Sequence, residues 1–191
     1  GAGFILLIIL FQPEIRRYLS LLGKGNNNNF FLKLFNDDKK NTSSIDPVIK
    51  SCKMFSKLKI GAIIVMAQDD NLKEIISKSV KIDAKISLPL LQSIFFKNSP
   101  LHDGAVIIQN NKIIAARCIL PITQNEDFPP ELGMRHRAAV GISEQSNGIT
   151  IIVSEQNGNI SYADEGLLKI NISINELEKE LKKKYNSEIQ I

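Results

Sequence analysis

The stretch Leu101-His102-Asp103-Gly104-Ala105-Val106-Ile107-Ile108 places a carboxylate and a glycine directly before an apolar run. Such a run is typical of a strand that is buried on both faces of a sheet. An unpaired buried charge is costly, so a carboxylate at the start of this strand requires a partner or a ligand. Asp103 is therefore the first candidate functional residue.

Two interpretations of this stretch remain open at this point. Asp-Gly is a common turn dipeptide, and on its own the pair indicates a turn more strongly than a site. In the functional interpretation, Asp103 binds a divalent metal or accepts a proton from a hydroxyl. Gly104 and Ala105 are then small so that a nucleotide can approach the backbone closely.

A second stretch, Gly133-Met134-Arg135-His136-Arg137, begins a predicted helix about thirty residues further along. Cations are disfavoured at a helix N-terminus, where free N–H groups and the helix dipole are already positive. A solvated basic helix start is the plain alternative, but a bound phosphate explains the cations better. Successive helical residues point about 100° apart, so one arginine can instead pair with a carboxylate of the fold.

The dipeptide Ser154-Glu155 follows an apolar strand pattern in a similar way. It is either an ordinary turn or a phosphate-binding hydroxyl beside a metal-binding carboxylate. The two histidines, His102 and His136, each lie in one of the two stretches described above, although a structural hydrogen bond is the commoner role of a lone histidine. No nucleophile partner for them is evident, and the sequence has neither a Walker-type loop nor a dinucleotide fingerprint.

Helical and strand patterns alternate along residues 44–191 and predict an α/β fold. Asn110-Asn111 and Asn157-Gly158 indicate two hairpins, so the central β-sheet should be mixed, with helices on both faces. Helices are predicted over 44–58, 71–80, 87–97, 134–143 and 176–185, with Ser44, Ser87 and either Ser173 or Asn175 as N-caps. Strands are predicted over 60–66, 85–86, 105–109, 112–120, 150–154, 160–162 and 167–172.

The 191 residues, of which 43% are hydrophobic, are enough for one domain with an appended segment. The net charge of +4 suits phosphate-bearing ligands or an anionic membrane, but scattered lysines explain it equally well. The two cysteines, Cys52 and Cys118, lack metal-ligand spacing and lie in apolar surroundings. We expect both to be reduced core residues of an intracellular protein.

The N-terminal residues Gly1 to Phe11 carry no charged side chain. A transmembrane helix needs about 20 residues. We therefore expect residues 1–25 to hold the end of a transmembrane helix and a juxtamembrane helix, with basic Arg16, Arg17 and Lys24 on the cytoplasmic side. A docking or interfacial helix is the alternative. Residues 26–43 are predicted to be a polar linker, and residues 44–191 a globular domain.

The motifs Asp103-Gly104-Ala105 and Arg135-His136-Arg137 resemble the DGA and RHR motifs of the DisA-N family of diadenylate cyclases. The segments 59–62, 138–144 and 151–155 also resemble that family, in the same order, and the likeness runs from about residue 44 to residue 168. Residues 11–17 resemble the junction after the last membrane helix in the membrane-anchored, CdaA-type branch. No DNA-binding helix-hairpin-helix region follows, so the resemblance implies no nucleic-acid partner.

The resemblance implies a DisA-N-like fold and a nucleotidyltransferase that joins two ATP molecules into cyclic di-AMP and releases two pyrophosphates. It implies a divalent metal, Mn²⁺, Mg²⁺ or Co²⁺, and a homodimer or larger assembly in which two sites meet face to face. It also implies a cell-membrane protein with its catalytic domain in the cytoplasm.

Site roles follow from the same resemblance, residue by residue. The implied catalytic residues are Asp103, Arg135, His136 and Arg137. The implied nucleotide-binding residues are Gly104, Ala105, Leu120, Gly133, Met134, Arg135, Ser154 and Glu155. The implied metal ligands are Asp103, Glu155 and His102.

Two positions depart from the family's pattern. Met134 stands where the family usually has Thr, so a hydroxyl contact to phosphate is lost there. Ile119 stands where the membrane-anchored branch often has Tyr, which changes one side of the base pocket. The alternative function is therefore a catalytically impaired module that binds ATP or cyclic di-AMP near the membrane. A third interpretation, an interaction domain without a ligand, requires both motifs to be accidental.

Overall fold

The apolar runs form the middle of a seven-stranded sheet in the computed structural model, which describes residues 45–68, 72–125 and 128–186. The strands are β1 (Ala62–Met66), β2 (Val80–Lys85), β3 (Ala105–Gln109), β4 (Lys112–Cys118), β5 (Ile149–Val153), β6 (Ile160–Asp164) and β7 (Leu167–Ile172). The helices are α1 (Ile45–Leu58), α2 (Lys73–Ser77), α3 (Leu88–Phe95), α4 (Met134–Ser143) and α5 (Ile174–Asn186).

The sheet has the strand order β2-β4-β3-β1-β5-β6-β7. Its three central strands, β3, β1 and β5, are buried at every position, as expected for strands covered on both faces. Strand β1 runs parallel to β3 and antiparallel to β5, while the remaining pairs are antiparallel. The predicted mixed sheet is confirmed.

Helices cover both faces of this sheet. On one face, α2 and α4 pack over a core cluster that includes Ile63 and Val65 of β1 and Ile142 of α4. On the other face, α1 packs against β5, α3 and α5. There the rings of Phe55 and Phe95 meet edge to face, with 5.5 Å between their centroids. The alternation of side chains along each strand supplies both faces with apolar groups.

The start of β2 differs from the prediction. The predicted helix over 71–80 reduces to α2, and the predicted strand over 85–86 is only the end of β2. Strand β2 lies at the sheet edge with alternate residues exposed, and a bulge between Lys81 and Ala84 holds Asp83 at φ 44°. An exposed, bulged edge strand lacks the continuous apolar signal by which the central strands are recognised.

Several local predictions are confirmed. Asn110 and Asn111 have φ values of 50° and 60°, as a tight hairpin turn requires. Ser87 and Ser173 cap α3 and α5 by accepting hydrogen bonds from backbone N–H groups three residues ahead. Helix α4 has the predicted bounds, whereas the predicted strand 112–120 ends at Cys118.

The remaining predictions concern the cysteines and the N-terminal segment. Cys52 and Cys118 are both buried and form no disulfide, as expected. Within the ranges that the structure describes, no helix is long and apolar enough to cross a bilayer. The predicted membrane-proximal segment 1–25 and the linker 26–43 lie outside the described residues, as does the predicted helix cap at Ser44.

Candidate nucleotide and metal site

The directions of β1, β3 and β5 bring the loops that carry the functional side chains together at one end of these central strands, here called the site edge of the sheet. Because β1 and β3 are parallel, the residues that precede them, Gly61 and Gly104, lie at the same edge. Because β5 is antiparallel to β1, with Val153 opposite Ala62, the residues that follow β5 return to that edge. Asp103 and Glu155, about fifty residues apart in the chain, therefore belong to one part of the surface.

Helix α4 delivers its first turn to the same edge. The Nη1 atom of Arg135 lies 2.8 Å from Oε1 of Glu155, so the two side chains form an ion pair. A Cβ atom added to Gly61 would lie 3.0 Å from both the Cζ atom of Arg135 and the Oε2 atom of Glu155. The prediction that one arginine pairs with a carboxylate of the fold is confirmed, and Gly61 leaves the space for it.

Gly104 fixes the geometry of the loop that carries Asp103. Its φ of 131° lies in a region that side chains rarely adopt. A Cβ atom there would lie 2.8 Å from the carbonyl carbon of Arg117 and 2.9 Å from the carbonyl oxygen of Cys118. Arg117 itself has a φ of 55°, where β4 bulges beside the loop. The glycine therefore allows a close backbone crossing next to Asp103.

The N-terminus of α4 has no cap of its own. Gly133 occupies the cap position and offers no side-chain acceptor. Its carbonyl accepts from the N–H groups of His136 and Arg137, at 3.0 and 3.3 Å. The N–H groups of Met134 and Arg135, at the first two helical positions, have no intrahelical acceptor. This uncapped start of a ten-residue helix, with a cation at its second position, suits an anion.

Charges around Glu155 favour its ionised form. The hydrogen bond and charge of Arg135 lower the pKa of the Glu155 carboxyl; partial burial opposes this less strongly, and the charge of Lys97 adds a smaller lowering. His102 has a fixed ring, because its Nδ1 lies 2.6 Å from the carbonyl oxygen of Ser99 and must donate to it. This leaves the Nε2 atom of the neutral ring available as an acceptor or metal ligand.

The predicted metal ligands do not form a complete ligand set by themselves. No three His, Cys, Asp or Glu side chains gather into a metal-binding group within residues 45–68, 72–125 and 128–186. Glu155 is turned to Arg135, while Asp103 is exposed and has no partner among the residues that the structure describes. Carboxylate oxygens and an imidazole nitrogen are donors that suit a Mg²⁺-like or Mn²⁺-like ion, which would need further ligands to complete its coordination.

The other predicted residues occupy different surroundings. Leu120 is only 8% exposed and packs in the core cluster beneath α4, so little of its side chain is open to an adenine ring. Ile119, in contrast, is 86% exposed. The Arg137 guanidinium lies 5.1 Å from the centre of the Phe128 ring. Ser154 accepts a hydrogen bond from the N–H of Gln156 within the turn after β5.

His136 provides a pH-dependent prediction. Burial lowers the pKa of its imidazole below the ordinary value of 6.5. Just below pH 6.5 the unfolded chain therefore binds more protons at this site than the folded chain. Stability contributed by neutral His136 is complete above pH 6.5 and is lost as the pH falls toward the lowered pKa. Denaturant unfolding at pH 7.5 and 5.5 should show this loss, and the His136→Gln variant should show a smaller one. Equal losses of stability in the wild type and in His136→Gln would show that the pH dependence does not come from His136.

Two residues near the ion pair, Gly61 and Lys97, are not predicted as site residues from the sequence. Gly61 lies within the segment 59–62 that resembles the family, but its role depends on the distant Arg135 and Glu155. Lys97 acts on Glu155 through space from the loop after α3, and nothing in its local sequence indicates this. Both belong to the site only because of the sheet topology.

A comparison with protein families identifies the part of the chain that contains this site as a known domain. A family model described as DAC, DisA bacterial checkpoint controller nucleotide-binding, matches residues 49–168, which is more than half of the chain. The chain belongs to the DAC family. The matched DAC region contains Gly61, Asp103, α4 and Glu155, and so includes the whole edge of the sheet described above.

Curated proteins similar to this DAC domain have related names. Over 165 residues, the chain is 43% identical to the cyclic di-AMP synthase CdaA of Bacillus subtilis, covering 86% of this chain and 59% of that protein. Over 182 residues it is 43% identical to a diadenylate cyclase of Listeria monocytogenes, covering 95% and 66% respectively. The chain therefore spans about three fifths to two thirds of the length of these relatives.

Solved structures confirm the fold. DacA from Staphylococcus aureus, solved as a double cysteine mutant, is 42% identical with a TM-score of 0.72, over 74% of this chain and 95% of that one. A protein from Bacillus cereus described as a hypothetical membrane spanning protein is 34% identical with a TM-score of 0.65, over 87% and 80%. The predicted α/β architecture is thus shared with both of these solved structures.

Proposed function

We propose that this chain carries the catalytic domain of a diadenylate cyclase, which condenses two ATP molecules into cyclic di-AMP and releases two pyrophosphates. The observation that supports this best is the meeting of Arg135, at the uncapped start of α4, with Glu155 beside the Asp103 loop. This arrangement offers an anion site and metal-binding carboxylates within one edge of the sheet. The names of the similar proteins agree with this reaction.

The chain's own groups suit each part of this chemistry. The free N–H groups at the start of α4 and the Arg135 guanidinium hold the triphosphate. Asp103 accepts the proton of the attacking 3′-hydroxyl as a bond forms between that oxygen and the α-phosphorus, and the bond to pyrophosphate breaks. His136, Arg137 and the Ser154 hydroxyl complete the polar surroundings in this proposal.

A divalent ion, Mn²⁺, Mg²⁺ or Co²⁺, would be held by Asp103, Glu155 and the Nε2 atom of His102. Its chemistry there is the neutralisation of negative charge on the phosphates. Gly104 and Ala105 lie where the backbone can approach the nucleotide. Leu120 remains a proposed adenine contact through its backbone and the small exposed part of its side chain.

Assembly follows from the stoichiometry of the reaction. Each site holds one ATP, whereas the product joins two, so two protomers must present their sites to each other in a homodimer or larger assembly. We also propose that residues before the described domain anchor it to the cell membrane, with the catalytic domain in the cytoplasm. The likeness to a solved protein described as a hypothetical membrane spanning protein supports this location.

One observation favours a second function. Met134, at the first position of α4, is 62% exposed and has no hydroxyl with which to bind a phosphate. Its backbone N–H remains available, so nucleotide binding is retained even if turnover is slow. A catalytically impaired module that binds ATP or cyclic di-AMP near the membrane would follow from this difference.

Two measurements distinguish these functions. The protein is incubated with ATP and Mn²⁺, Mg²⁺ or Co²⁺ in turn, the nucleotides are separated by chromatography, and ATP binding is measured separately by isothermal titration calorimetry. A cyclase forms cyclic di-AMP, whereas the impaired module gives a binding isotherm for ATP but no product with any of the metals. Absence of ATP binding under all these conditions would contradict both functions and favour an interaction domain without a ligand.

A further inference from the structure

The ion pair between Arg135 and Glu155 joins two groups that the proposed reaction needs separately. Glu155 is proposed as a metal ligand and Arg135 as a triphosphate ligand. In the structure the two side chains instead form an ion pair with each other, with 2.8 Å between Nη1 of Arg135 and Oε1 of Glu155. Glu155 therefore has to leave Arg135 in order to bind a cation, and Arg135 has to leave Glu155 in order to bind a phosphate.

The fold builds this pair in a specific place. Gly61, directly before β1, has no side chain, and a Cβ atom there would crowd both partners at 3.0 Å. The strand register fixes Glu155 beside Gly61, and the helix start fixes Arg135 above it. The side chains remain 35% and 58% exposed, so solvent and ligands can reach and replace either partner.

We infer that the Arg135–Glu155 pair couples metal binding to nucleotide binding in this site. A cation that engages Glu155 releases Arg135 for the triphosphate, and a triphosphate that engages Arg135 releases Glu155 for the cation. The coupling is reciprocal, since each ligand raises the affinity of the other by the same factor. This inference rests on the proposed function and adds a positioning role for the pair before any ligand is bound.

The size of the effect follows from the exposure of the pair. Partly exposed ion pairs are weak, so releasing one partner should change an affinity by roughly two- to fivefold. An effect of this size is within the range of isothermal titration calorimetry. It is also small enough that the resting pair does not block either ligand.

The first measurement is ATP binding in the presence of a metal chelator. Glu155→Gln should bind ATP about two- to fivefold more tightly than the wild type, because Arg135 no longer has to break an ion pair. Removing a negative charge could also raise ATP affinity through the general field. A double-mutant cycle with Arg135→Gln separates the two causes, because only the ion-pair effect disappears in the Arg135→Gln background.

A matched control is Glu131→Gln, which removes an exposed carboxylate from the loop just before α4. It should leave metal-free ATP affinity near the wild-type value. An equal gain in Glu131→Gln, or a gain from Glu155→Gln that persists without Arg135, would overturn the coupling.

The reciprocal measurement is the affinity for Mn²⁺ in the absence of nucleotide. The concentration of free Mn²⁺ is monitored by electron paramagnetic resonance during the titration. Arg135→Gln should bind Mn²⁺ about two- to fivefold more tightly than the wild type, and this gain should disappear in the Glu155→Gln background. Unchanged Mn²⁺ affinity in Arg135→Gln would overturn the inference while leaving the proposed cyclase intact. A wild type that binds neither ATP nor Mn²⁺ would remove the proposed function as well.

Discussion

The Asp103→Asn variant is expected to lose formation of cyclic di-AMP while keeping its fold. Asparagine keeps the shape of the side chain but can neither accept the 3′-hydroxyl proton nor offer a charged oxygen to a metal. Loss of a general base alone lowers rates by about 10²- to 10⁴-fold, and loss of a metal ligand adds to this. Asp103 is exposed and has no partner in the described part of the chain, so the melting temperature should not change.

The control for this variant is Asp83→Asn. Asp83 is also exposed, but it lies in the bulge of β2 and forms an ion pair with Lys112 at 2.9 Å. Asparagine tolerates the positive φ at that position, so the fold should remain intact. Initial rates of product formation by chromatography should be near wild type for Asp83→Asn and close to background for Asp103→Asn. Full activity in Asp103→Asn would show that the site is assigned to the wrong carboxylate.

Gly104→Ala is expected to destabilise the domain and to reduce its activity together. The substitution forces an alanine into a φ of 131° and places its Cβ within 3.0 Å of the backbone of Arg117 and Cys118. Backbone strain of this kind costs about 1–3 kcal/mol, and the clash adds to it. A domain of this size loses about 2–4 °C of melting temperature per kcal/mol, so a fall of more than about 5 °C is expected. Because the backbone must shift to relieve the clash, the neighbouring Asp103 is displaced, and activity should fall together with stability.

Gly133→Ala is the matched comparison for stability. No atom lies within 4 Å of a Cβ placed on Gly133, and its φ of −74° is open to any residue. Only the cap preference changes, at a cost of about 1 kcal/mol or less. Thermal unfolding by circular dichroism should therefore show a much smaller shift than for Gly104→Ala. Equal shifts would mean that the backbone crossing at Gly104 does not limit the fold.

Central elements of the fold follow directly from the sequence. The central strands β1, β3 and β5 and the Asn110-Asn111 turn are recognisable because apolar runs and turn residues are local signals. Edge strand β2 is not recognisable in this way. Its pattern is half exposed and interrupted by a bulge, and its identity as a strand depends on pairing with β4.

The site is predictable in its parts but not in its connections. A cationic helix start indicates that an anion or carboxylate is needed, and the structure supplies Glu155 as the partner of Arg135. Which carboxylate would be used depends on the antiparallel register of β1 and β5, and no local pattern contains that information. The space left by Gly61 has the same non-local origin.

Side-chain direction is a second limit on prediction from sequence. Leu120 is implied as an adenine contact, yet its side chain is buried with Ile63 and Val65, and the neighbouring Ile119 is exposed instead. Arg137 lies against the Phe128 ring, whereas Arg135 forms the ion pair with Glu155. Strand and helix geometry set these directions, so residues adjacent in a motif reach different parts of the surface.

The most direct test of the central claim is the rate of cyclic di-AMP formation by the wild-type protein over a range of protein concentrations. With saturating ATP and Mn²⁺, two pyrophosphates should be released for each cyclic di-AMP. The rate per protomer should rise with protein concentration, because two ATP-loaded sites must meet. Tight ATP binding without cyclic di-AMP at any protein concentration would contradict the cyclase and leave a nucleotide-binding module.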